Sequence, residues 1–122
     1  MKALHYDIEG DILSVTFAES SGVITTGVEL SDNVVVYFDP ETERPLKLIL
    51  ISYQAMVQAS ATMPIELDGL DRLPEQTQAT VGRMLRRAPL TTFLQLEPHS
   101  SSTTHLPQLF TASAWQGVGA VV

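Results

Sequence analysis

Between Leu4 and Ile51 apolar residues recur at every second position in separate short runs, and that period restricts the first half of the chain to β-strands. Leu4, Tyr6 and Ile8 alternate before the turn-forming stretch Glu9-Gly10-Asp11. Leu13, Val15 and Phe17 share one face of a second strand, with Ser14 and Thr16 opposite. After Ser20-Ser21-Gly22, a third strand places Ile24, Thr26, Val28 and Leu30 together. Ser31-Asp32-Asn33 supplies turn chemistry, and Val34 to Phe38 is β-branched and aromatic throughout. The segment Asp39-Pro40-Glu41-Thr42-Glu43 closes the next hairpin. Leu46 to Ile51 is then a fifth strand, and Ile49 and Ile51 make its second face apolar as well. That pattern suits a central strand needing cover.

The period changes after Ser52, which is placed to cap a helix. Tyr53, Met56, Val57 and Ser60 follow at helical spacing and form one stripe. Ile65, Leu67 and Leu70 pin a connection from Met63-Pro64 to Leu73. Pro74 suits the start of a second helix with the stripe Thr77, Val81, Met84, Leu85 and Ala88, which Pro89 ends. A sixth strand is expected within Leu90 to Glu97. Beyond the polar break His99 to His105, Leu106, Leu109, Phe110 and Trp115 form an apolar end expected to dock on the sheet or on a second subunit.

The expected fold class is therefore α+β: an antiparallel β-meander of five to six strands with two helices packed on one face. Residues 1–60 would form the meander and a short helix, and residues 61–122 a helix-strand extension packed on it, together one cooperative domain. A chain of 122 residues suits one domain that buries roughly two-thirds of its unfolded surface. With 44% apolar and 17% charged residues it can sustain a core.

Cysteine is absent, which excludes disulfides, thiolate zinc sites and cysteine nucleophiles and suits a reducing cytoplasm. No basic start followed by an apolar run is visible, and no stretch approaches the roughly 20 apolar residues that span a bilayer. Lys47 interrupts the longest candidate. A net charge of −7 repels phosphate backbones and anionic membranes, so neither nucleic acid nor membrane is an expected partner.

The stretch Tyr6-Asp7-Ile8-Glu9-Gly10-Asp11-Ile12-Leu13-Ser14-Val15 resembles the Y-D-x-E-x-D-x-L-x-V opening of a family of small bacterial proteins known as a domain of unknown function, family two-two-eight-three. The resemblance continues through Val28-Glu29, Val34 to Asp39 and Leu46 to Ile51, covering about the first half of the chain. Where Leu48-Ile49-Leu50 stands here, members carry a glycine and an acid, and they commonly stop soon after the helix. What the resemblance implies is a compact meander followed by a helix; it brings no activity with it.

Candidate sites are few. Asp7, Glu9 and Asp11 would share a face if their strand continued, and oxygen clusters suit calcium or magnesium; a turn at Gly10 would splay them into structural hydrogen bonding instead. Glu41 and Glu43 beside Asp39 form an acidic corner, but nothing in the spacing sets up the controlled carboxylate pair that acid–base chemistry requires. His5, His99 and His105 lack the spacing by which one rigid element supplies two zinc ligands. Arg83, Arg86 and Arg87 are three of only seven basic residues. They complement a helix C-terminus or pair with carboxylates, and are otherwise a docking surface for an acidic partner or phosphate. Trp115 anchors the C-terminal segment or stacks on a ligand.

No nucleophile elbow or phosphate-binding loop occurs, so no catalytic residue, cofactor or metal is assigned. The leading expectation is a cytoplasmic, non-enzymatic interaction or regulatory module that self-associates, as a homodimer or with a protein partner. The alternative is a small-molecule domain for an anionic ligand, or a modest hydrolase, with its site between the sheet and the Pro74–Ala88 helix.

Overall fold

The computed structural model describes residues 3–98 and 102–108, and its architecture is α+β. Strands β1 (Ala3–Asp7), β2 (Ile12–Thr16), β3 (Thr26–Ser31), β4 (Val34–Asp39) and β5 (Arg44–Ile51) form one antiparallel sheet. Alternation acts as expected: Leu4, Tyr6, Leu13, Val15, Val28, Leu30, Val34, Val36, Phe38, Leu46, Leu48 and Leu50 are all buried on one face.

The strand order is β1-β2-β5-β4-β3, which corrects the simple meander. The β1–β2 hairpin and the run β3-β4-β5 each follow one another in space, but residues 17–25 carry the chain from β2 across to the far edge, giving a Greek-key order. The reason lies in β5. It is the longest strand and apolar on both sides, so the β1–β2 hairpin docks beside it, setting Leu13 against Leu50 and Val15 against Leu48. The crossing also shortens the third strand. Ile24, placed by alternation on the buried face, is 79% exposed in the connector.

Helix α1 (Tyr53–Thr62) buries Tyr53, Met56, Val57 and Ser60, the four residues of its stripe. The short strand β6 (Ile65–Glu66) and a 3-10 turn at Asp68–Arg72 follow. That turn closes over the outer edge of β3 and leaves no room for a side chain at Gly69, where a Cβ would stand 2.0 Å from the Glu29 carbonyl oxygen. Helix α2 (Glu75–Leu85) buries Val81, Met84 and Leu85; it ends before Ala88, which is exposed.

The sixth strand expected over Leu90 to Glu97 is instead helix α3 (Leu90–Phe93) followed by the two-residue β7 (Gln95–Leu96). Leu90, Phe93 and Leu94 are spaced three and four apart and all are buried, so core packing overrides the strand preference of Thr91 and Thr92. Strand β8 (Thr103–His105) lies between β6 and β7 in a second, three-stranded sheet. The described residues thus hold three α-helices, not two. One hydrophobic cluster runs from Leu4 to Leu106, with edge-on contacts between Tyr6 and Tyr53 at 6.2 Å and between Phe17 and Phe93 at 5.9 Å.

Candidate functional site

All of that core lies on one face of the main sheet, and no described element packs on the opposite face. Its grid follows from the strand registers. Glu29, Val35, Ile49, Ser14 and His5 form one row across β3-β4-β5-β2-β1, and Gly27, Tyr37, Lys47, Thr16 and Ala3 form the next. Ile51 and Ile12 are paired in a third. Val35, Ile49, Ile51 and Ile12 are half-buried, whereas Glu29, Tyr37 and Lys47 are exposed. At Gly27 a Cβ would meet the Tyr37 ring at 2.8 Å, so the missing side chain lets the ring lie across β3. Thr16, Tyr37, Lys47 and Ile49, with Ser20 and Thr25 of the connector, line a shallow cleft of about 440 Å³.

Among the described residues neither Lys47 nor Glu29 has an ion-pair partner. Sequence reasoning passed over both as site residues, yet one signal was present. Lys47 is the one charge in the apolar run Leu46 to Ile51, on the side that also carries Ile49 and Ile51.

The three arginines separate. Arg83 holds both carboxylate oxygens of Glu43, Nε donating to Oε1 at 3.0 Å and Nη2 to Oε2 at 2.7 Å. This pairing holds the Glu43 carboxyl below the usual carboxylate range and raises the Arg83 guanidinium. Arg87 Nη2 stands 3.5 Å from Glu43 Oε1 and donates to the Glu43 carbonyl at 3.4 Å. Arg86 makes no ion pair among the described residues and lines a groove along α2 with Leu70, Glu75 and Gln78. The acidic corner and the arginine cluster are therefore one structure, in which the hairpin turn of β4–β5 is clamped to α2. Glu41 stays exposed in that turn, its N–H donating to Asp39 Oδ1 at 2.9 Å.

Asp11 is drawn out of the acidic trio by a local role. Its φ of 55° turns the chain between β1 and β2. The side chain then accepts from the Tyr6 hydroxyl at 2.6 Å and from the N–H of Gln54 at 2.9 Å and Ala55 at 3.4 Å, while its carbonyl accepts from Tyr53 N–H at 2.9 Å. Asp11 thus caps α1, not Ser52, which sits at φ 59° without a capping bond. Among the described residues no group of three or more His, Asp or Glu could hold a metal ion.

His105 on β8 bridges two acceptors. Its Nδ1 donates to the Ser60 carbonyl at 2.6 Å, and its Nε2 to the Glu97 carboxylate. Both partners favour the imidazolium, the Ser60 carbonyl most, and they raise the His105 pKa. His5 is exposed on β1, while His99 and Trp115, with the docking expected of residues 109–122, fall outside the described residues. No described helix is long and apolar enough to cross a membrane.

Comparison with known proteins finds no match: no protein-family model, no curated protein and no solved structure corresponds to this chain.

Proposed function

We propose that this chain is a non-enzymatic interaction module that self-associates, with the face of the main sheet opposite the core as its contact surface and a second copy as occupant. The observation that carries the reading is the aliphatic strip of Ile12, Ile49, Ile51 and Val35 across the three central strands, with the core wholly on the other side. Sheets stack face to face through such strips. A two-fold contact presents the same patch twice, so a patch that matches itself needs both signs of charge. Lys47 and Glu29 provide them on one face, each without an intramolecular ion pair among the described residues.

Sedimentation equilibrium tests the reading. The chain should be dimeric at about 10 μM, an affinity common for modest interfaces, and Ile49→Lys should make it monomeric with its circular dichroism unchanged. Lys47→Glu and Glu29→Lys should each weaken the dimer, and the double reversal should restore it. A monomer at roughly 100 μM, or a dimer indifferent to Ile49→Lys, would sink the reading.

A further inference from the structure

Three of the seven basic residues stand at one corner, Arg44 at the start of β5 and Arg83 and Arg87 at the end of α2. Fourteen acids in the chain could neutralise them, yet the acid engaged at this corner is Glu43. Arg83 occupies both oxygens of that carboxylate. Arg87 reaches it only at 3.5 Å through one nitrogen, which among the described residues leaves most of its donors without a protein partner. Arg44 has no ion pair among the described residues. Arg44 and Arg87 line the same cleft of about 300 Å³ between the β4–β5 turn and the α2–α3 junction, together with Glu43, whose two carboxylate oxygens Arg83 holds. Its apolar lining is Phe17, Pro45, Met84 and Pro89.

A helix C-terminus ordinarily repels anions. Here the final carbonyls of α2 are occupied: Arg83 O accepts from Arg86 N–H and Met84 O from Arg87 N–H, both at 3.2 Å. The Arg87 carbonyl in turn accepts from Thr91 N–H at 3.2 Å. The corner therefore presents Arg44, Arg83 and Arg87 around the satisfied Glu43 carboxylate, with Asp39 opposite Arg44 and Glu41 in the adjoining turn, in a chain whose net charge of −7 holds anions off at long range.

We propose that this cleft binds a small organic phosphate monoester, its phosphate held between Arg44 and Arg87 and its apolar body resting on Phe17, Pro45 and Pro89. Two planar guanidinium forks match the oxygens of a phosphate dianion, and the floor gives an apolar substituent area to cover. The site lies on the covered side of the sheet and is independent of the self-association surface.

Phenyl phosphate is the probe, titrated calorimetrically and followed by amide chemical shifts. Saturable binding is expected, with shifts centred on Phe17, Arg44 and Ala88. Arg44→Gln and Arg87→Gln should each weaken it about tenfold, as loss of one charge-assisted contact does, with the fold retained by circular dichroism. Arg72→Gln, whose side chain instead faces Asp68 at 3.7 Å, should bind as the parent does. Ile49→Lys, monomeric under the reading above, should bind unchanged as well. No saturable binding at about 10 mM, affinity unaltered by Arg44→Gln and Arg87→Gln, or equal loss in Arg72→Gln would overturn the proposal.

Discussion

Asp11 shows how much one side chain can settle. Its carboxylate joins the β1–β2 turn to the first turn of α1 and satisfies the buried Tyr6 hydroxyl, whose pKa is pushed up to about 12 by burial and by that hydrogen bond. Replacement by Ala removes a cap, takes an acceptor from the Tyr6 hydroxyl and strains a left-handed position; we expect Asp11→Ala to cost about 2–4 kcal/mol in urea unfolding. Asn keeps an acceptor and tolerates the same backbone, so Asp11→Asn should cost less than half as much. An equal loss in both variants would contradict the capping role.

His105 adds a pH dependence of known sign. Its folded pKa lies above the ordinary 6.5, so the stability it contributes is complete below about pH 6.5 and is lost as pH rises through the folded value. Melting temperature should therefore fall from pH 6.5 upward, and His105→Gln should flatten that part of the curve. A parent curve flat over the same window would show that the Ser60–His105–Glu97 bridge does not form.

At the scale of elements, two decisions were made by contacts and not by local preference. The 3-10 turn covers the β3 edge only because Gly69 has no side chain. Gly69→Ala should push the turn away, cost roughly 2 kcal/mol or more, and expose β3 amides to hydrogen exchange while β5 stays protected. Protection unchanged in β3 would show that the turn is not its cover. The α2–β hairpin clamp is the second case: Glu43 and Arg83 are forty residues apart, a pairing that charge counting along the chain cannot find.

At the scale of the molecule, the two sheets share one core, and β8 links them by lying between β6 and β7 and placing Leu106 against it. Leu106 is 3% exposed, so Leu106→Ala should cost about 2–4 kcal/mol and lower a single cooperative melting transition. Two separate transitions would mean that the halves unfold independently.

Period-two burial from Leu4 to Leu50, the stripe of α1 and the central place of β5 were all legible in the sequence, because each is fixed by side-chain spacing within a few residues. The helix at Leu90–Phe93 was legible too, in its spacing of three and four, but β-branched neighbours masked it. Tertiary structure alone decided the crossing of residues 17–25, the capping of α1 by Asp11, the engagement of Arg83 by Glu43 and the gathering of every described helix on one sheet face. The difference is physical. Local periodicity says which face of an element avoids water, whereas the choice among distant partners depends on competing burial and charge terms that exist only once the chain has closed on itself.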